Sequence, residues 1–203
     1  MNVAIFLFNG VEILDFTGPY QVFCSVRKTK KVLNKKNINE IYKSPCPFNV
    51  FTVATNNKNI ITSGGMEVKS NYNFFDFPKF EILLIPGGKG TRELISNKKV
   101  LSWISNQRDT KLIVSVCTGS LLLAAAGLLK NKRATTHWGA LKLLKEISPS
   151  TIVINERYVI DKVFSSAGVS SGIDLSLKIV EIFFGVRVAK NTAKFMEYNL
   201  FKN

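Results

Sequence analysis

The sequence predicts an α/β protein built on a mostly parallel sheet with helices on both faces. Three apolar runs, Val3 to Phe8, Ile82 to Ile85 and Leu112 to Val116, are too short for helices and barely alternate, as expected of strands buried on both sides. Each ends in turn residues, Asn9-Gly10, Pro86-Gly87-Gly88 and Cys117-Thr118-Gly119, and a stretch of helical character follows. Strands that alternate with helices in this way pair in parallel.

Taken in order, Val3 to Phe8 is the first strand, and Gly18-Pro19 starts a helix that Gln21 to Val26 continue, because proline is tolerated in a first turn. Lys30 to Pro47 is a polar connection in which Val32 to Tyr42 offers a short helix. Phe48 to Thr55 reads as a strand, and Ile60 to Lys69, broken by Ser63-Gly64-Gly65, as a hairpin at the sheet edge. Ile82 to Ile85 is the next strand. Thr91 to Gln107 has helical spacing through Leu94, Leu101 and Ile104. After Leu112 to Val116 comes a helix over Ser120 to Ala126. Lys132 to Thr136 is a short strand, Gly139 to Ile147 a helix, and Ile152 to Asn155 and Tyr158 to Ile160 are expected to pair, with Asp161-Lys162 turning into Val163 to Ser165. Ser171 to Phe184 and Val188 to Tyr198 close the chain as helices.

Composition narrows the function classes. At 203 residues and 46% hydrophobic content, one domain over residues 1–203 with a single core is expected. The three cysteines, Cys24, Cys46 and Cys117, are odd in number and widely spaced, which argues against a disulfide framework or a structural zinc site. With neither a signal peptide nor an apolar run long enough to span a bilayer, a cytoplasmic location is expected. The net charge of +14 comes from scattered Lys and Arg among many Asn; it reads as a solvated surface rather than a nucleic-acid face, so neither specific nucleic acid nor a membrane is an expected partner.

Ligands of open parallel sheets bind beyond the carboxyl ends of the strands. Those ends carry Asp15, Gly87-Gly88 and Cys117-Thr118. Cys117 lies on a strand-to-helix turn like a nucleophile elbow, where free N–H groups and the helix dipole are expected to lower its pKa. Cys24 and Cys46 lack that context. Asp15 is an acid between apolar neighbours, suited to moving a proton beside a thiolate or else to capping a helix, for which Thr17 is nearer. Glu12 is the alternative acid, and spacing does not choose between them. His137, the only histidine, is a packing residue beside Trp138 or, if the fold allows, a base for Cys117.

The stretches GVEILDFTGP (Gly10 to Pro19), IPGG (Ile85 to Gly88), VCTG (Val116 to Gly119), ATTHW (Ala134 to Trp138) and SAGVSSGID (Ser166 to Asp174) together resemble the DJ-1/PfpI superfamily, and within it the isonitrile hydratase-like group. The resemblance implies a flavodoxin-like three-layer sandwich, commonly a homodimer, with Cys117 as nucleophile, Asp15 as its acidic partner and Thr118 beside them. It implies that the amides of Gly87 and Gly88 help form an oxyanion pocket, that His137 and Glu12 line it, and that Ser166 to Gly172, Ser166 and Gly168 among them, close another wall. Thr118 stands where the protease-like branch has histidine, which speaks against peptidase activity. No metal or organic cofactor is implied, and the expected ligand is a small molecule. Hydration of isonitriles is the first expected activity, glyoxalase or deglycase chemistry on 2-oxoaldehydes the second, and a non-catalytic ligand or redox sensor the third. The sensor domains of AraC-type regulators continue into a helix-turn-helix pair, and a chain ending at Asn203 is expected to stand alone.

Overall fold

The apolar runs become the centre of the sheet. The computed structural model describes residues 1–28, 43–56 and 59–199; the expected helix over Val32 to Tyr42 lies outside them. β1 (Asn2–Phe6) leads into α1 (Ile13–Ser25), then β2 (Asn49–Ala54), the hairpin β3 (Asn59–Ile61) and β4 (Glu67–Lys69), and β5 (Tyr72–Asn73). Next come β6 (Ile82–Ile85), α2 (Thr91–Leu94), α3 (Lys98–Asn106), β7 (Leu112–Val116) and α4 (Gly119–Ala125). After β8 (Arg133–Ala134), a 3-10 turn (Trp138–Ala140) runs into α5 (Leu141–Ile147). β9 (Ile152–Val153), β10 (Tyr158–Val159), β11 (Val163–Ser166), α6 (Ser171–Phe184) and α7 (Val186–Phe195) complete the described chain.

The main sheet has the order β10-β11-β7-β6-β1-β2-β5 and is parallel except for β10. Val3 to Phe6 and Ile82 to Ile85 have no exposed surface, as strands covered on both faces require. The helices pack in two groups, α1 with α6 and α7, and α4 with α2, α3 and α5, which cover the two faces. Phe6, Phe74 and Trp103 meet in one aromatic cluster, with Phe74 and Trp103 stacked 4.1 Å apart. No described helix is long and apolar enough to cross a membrane.

Several local expectations are corrected. Pro19 does not start α1 but lies inside it, and the helix begins at Ile13 after Glu12, whose side chain makes no cap bond. An interior proline removes one helical hydrogen bond and costs about 3 kcal/mol in a free helix. Tight packing offsets this, since a Cβ on Gly18 would lie 2.9 Å from Ile173 of α6. Thr17 therefore caps nothing and donates from Oγ1 to the carbonyl of Ile13 (2.8 Å).

The expected helix over Thr91 to Gln107 is two helices, because Asn97 accepts a hydrogen bond from Val100 N (3.1 Å) and starts α3. β9 and β10 do not pair with each other. Ile152 N and Ile154 N donate to Lys132 O and Ala134 O, joining β9 to β8, while β10 folds back on β11. The β3–β4 hairpin forms its own small sheet, and the edge strand beyond β2 is β5. That hairpin is strapped to the loop after β1: Gly10 N donates to Ile61 O (2.7 Å) and Ser63 N to Val11 O (2.8 Å).

Candidate active site

β7 delivers Cys117 to a turn in which its φ is +55°, a left-handed conformation that costs a residue with a Cβ about 1 kcal/mol or more. Neighbouring groups hold it there. Cys117 N donates to Ser166 O (2.8 Å), and Cys117 O accepts from Thr136 Oγ1 (3.0 Å) and Ser120 Oγ (3.2 Å). Gly168 covers the residue from the side. Its φ is +76°, and a Cβ there would lie 2.4 Å from Cys117 Cβ and 3.1 Å from Sγ, so only glycine fits. The peptide bond after Gly168 is cis, and Gly168 N donates to Ser171 Oγ (2.5 Å).

Asp15 reaches the same point from the first turn of α1 with no exposed surface. Its Oδ2 accepts from Gly87 N (3.0 Å). Its Oδ1 has no hydrogen-bond partner; the side chain's other polar neighbour is the Cys117 thiol. Burial raises the Asp15 pKa to about 7 against the pull of the Gly87 amide. Burial first, and then the Asp15 charge, push the Cys117 thiol up to about 12, although the Thr118 amide and hydroxyl favour the thiolate. The expected lowering at a helix terminus is thus corrected: two hydrogen-bond donors do not offset desolvation beside a carboxylate. Interacting groups lose protons as a pair. Between about 7 and about 12 the pair holds one proton between Oδ and Sγ.

The amides of Gly87 and Gly88, expected to form an oxyanion pocket, are both engaged within the protein. Gly87 N is committed to Asp15, and Gly88 N donates to Thr118 Oγ1 (3.0 Å). Gly87 matters for its size: a Cβ there would lie 2.5 Å from Thr118 N and 2.9 Å from Asp15 Oδ2. Thr118 is the hub, since Thr91 Oγ1 also approaches its hydroxyl (3.1 Å) and donates to Gly88 O (2.8 Å). The polar donors at the sulfur are the amide and hydroxyl of Thr118.

A cavity of about 300 Å³ opens over Cys117 and Thr118, with Gly88, Glu12 and His137 in its wall. Glu12 accepts from Ser63 Oγ through Oε2 (2.8 Å). His137 Nδ1 accepts from Gly139 N (3.2 Å) and so caps the following turn. The cysteine's polar neighbours are Asp15 and Thr118, and no Cys–His dyad forms. Ser166 gives its carbonyl to Cys117 N, but its hydroxyl is buried and its side chain stands outside the cavity lining. Phe16 is likewise buried outside the lining, and Trp138 is 77% exposed. Lys89, directly after Gly88, is in the lining. Arg92 and Val169 also line the cavity; Val169 belongs to the wall expected over Ser166 to Gly172, and Arg92 is the residue that sequence reasoning missed. Arg92 follows the Gly87-Gly88 strand end, where the rule for parallel sheets points, and Val169 lies within the quoted SAGVSSGID stretch. Among the described residues no three His, Cys, Asp or Glu side chains cluster to hold a metal ion.

The model of the DJ-1/PfpI family matches residues 1–182. Isonitrile hydratase of Pseudomonas putida is 32% identical over 200 residues, covering 98% of this chain and 78% of that protein. A helix-turn-helix transcriptional regulator of Pseudomonas aeruginosa is 23% identical over 75% of this chain, which spans 42% of the regulator's length. A ThiJ/PfpI family crystal structure from Pseudomonas syringae superposes with a TM-score of 0.84 at 26% identity, covering 99% of this chain and 76% of that one.

Proposed function

This chain belongs to the DJ-1/PfpI family, and from that premise we propose that it is a cysteine-dependent enzyme of isonitrile hydratase type, converting R–NC and water to R–NH–CHO. The observation that carries the proposal is the Asp15 carboxyl, without exposed surface, set beside the buried Cys117 thiol at the carboxyl ends of the strands. The relative named isonitrile hydratase, aligned along almost the whole chain, supplies the reaction.

In the first step Cys117 Sγ bonds to the terminal carbon of the isonitrile, and the proton of the pair passes to that carbon. The product is a thioimidate, R–N=CH–S–Cys117. Water then adds across the C=N bond, Asp15 carboxylate taking a proton from the attacking water and passing it to the nitrogen; as the C–S bond breaks, the hydroxyl proton of the adduct passes through Asp15 to the sulfur. The formamide leaves and the thiol–carboxylate pair is restored. Sulfur thus replaces water as the attacking nucleophile, and Asp15 acts as acid and then as base. Thr118 steadies negative charge on sulfur through its amide and hydroxyl. Residues 1–203 act as one domain, as a homodimer in the cytoplasm, with a small molecule as the partner at the site and without a resident cofactor.

The test is turnover of isonitriles, methylglyoxal and a peptide side by side, with Cys117→Ala as the blank. Formamide production that disappears in the blank supports the proposal. Turnover of methylglyoxal alone moves the same nucleophile to hemithioacetal chemistry of the glyoxalase kind. Activity that survives in Cys117→Ala, or no turnover at all, leaves the sensor reading in its place.

A further inference from the structure

The cavity carries two cations that the proposed chemistry does not use. Lys89 and Arg92 both line it, and among the described residues the ion pairs are Lys142–Glu146, Arg157–Asp174 and Lys178–Glu181, which include neither. Lys89 and Arg92 are both exposed residues, and Arg92 has one contact toward the site. Its Nη1 donates to Thr91 Oγ1 (3.3 Å), and that hydroxyl lies 3.1 Å from Thr118 Oγ1. The guanidinium is therefore within two hydrogen-bond lengths of the residue next to Cys117. Lys89 directly follows Gly88, whose N–H bonds the same Thr118 hydroxyl. Of the acids, Glu12 lines the cavity and is already engaged by Ser63, Asp15 lies beside the thiol below, and Glu93 follows Arg92 in α2.

We propose that the substrate of this site carries an anionic group, specifically a carboxylate, seated by Lys89 and Arg92 while its electrophilic carbon meets Cys117. The inference rests on Cys117 as the nucleophile. A guanidinium suits a carboxylate because its planar donors match the two oxygens, and an ammonium adds a second charge. A cavity of about 300 Å³ is at the small end of ligand pockets, which selects a compact acid, such as an isocyano acid, over a bulky apolar molecule.

Alkylation tests this without any turnover. Iodoacetate and iodoacetamide both lose iodide to a thiolate and leave a thioether, and they differ by one negative charge. Their rate ratio at Cys117, followed by mass spectrometry, is compared with the ratio for 2-mercaptoethanol. The ratio is read because removing a cation changes the thiolate fraction equally for both reagents. At low salt it should exceed the free-thiol ratio by about threefold or more and fall toward it at high salt. Arg92→Gln combined with Lys89→Gln should bring it down to the free-thiol value, and Glu12→Gln should raise it. A ratio at or below that of 2-mercaptoethanol, or one unchanged in the double variant, overturns the proposal. Formamide production that survives in Cys117→Ala overturns the nucleophile reading itself, and the proposal falls with it.

Discussion

Gly168 lies so close to Cys117 that a Cβ on it would be 2.4 Å from the cysteine's own Cβ. The wall of the site is therefore shaped by an absent methyl group. Gly168→Ala should cost about 2 kcal/mol or more from backbone strain and overlap together, and should lower activity at least about tenfold by displacing the sulfur. Gly185→Ala is the control, since Gly185 has φ +88° with nothing within 4 Å and adds strain alone. Urea denaturation of the two variants checks this, and equal losses would mean that the contact at Cys117 constrains nothing.

Asp15 and Glu12 allow a direct comparison of two acids in one motif. Asp15→Asn keeps the shape and removes the titrating group, so kcat should fall by about 100-fold to 10,000-fold, whereas Glu12→Gln, at the cavity wall, should matter far less. The same Asp15 change should lower the Cys117 pKa, because the carboxylate charge that opposes the thiolate is gone. Steady-state kinetics and the pH dependence of alkylation read the two effects. Near-normal turnover in Asp15→Asn with loss in Glu12→Gln would transfer the role to Glu12.

Stability should depend on pH through the same carboxyl. The folded-state pKa of Asp15 is raised from 3.8 to about 7, so the folded state binds its proton more tightly than the unfolded chain does. The contribution is full below about pH 4 and is lost as pH rises through about 7, worth about 4 kcal/mol in all. Relative to the native protein, Asp15→Asn should gain stability between about pH 4 and about pH 8 while losing activity. Urea midpoints at the two pH values decide the matter; a difference that does not change with pH would contradict the assignment.

Thr118 should serve both the fold and the sulfur. Thr118→Val has the right shape but leaves Gly88 N–H without its acceptor, a loss of about 1–3 kcal/mol. The thiol also loses a donor, so alkylation of Cys117 at a fixed alkaline pH should slow. Thr118→Ser should restore both properties. Thermal melts and alkylation rates test this pair, and a valine variant that melts and reacts like the native protein would remove Thr118 from the site.

The sequence by itself determined the central strands, the turn that carries Cys117, and the strand ends where the site would form. These are local properties: an uninterrupted apolar run marks a strand buried on both faces, and glycines mark where the chain must turn. The helix over Ser171 to Phe184 was legible with its own boundaries for the same reason. Only the tertiary structure decided what packing overrides. Pro19 sits inside α1 because α6 grips that helix, and β9 chose β8 over β10 through backbone groups distant in sequence. The site divides in the same way. Residue types and spacing selected Cys117 and Asp15, but the direction of the thiol's pKa depends on how deeply the pair is buried, and the Gly87 and Gly88 amides were already spent on Asp15 and Thr118. Burial and hydrogen-bond partners are sums over the whole fold, and no window of sequence contains them.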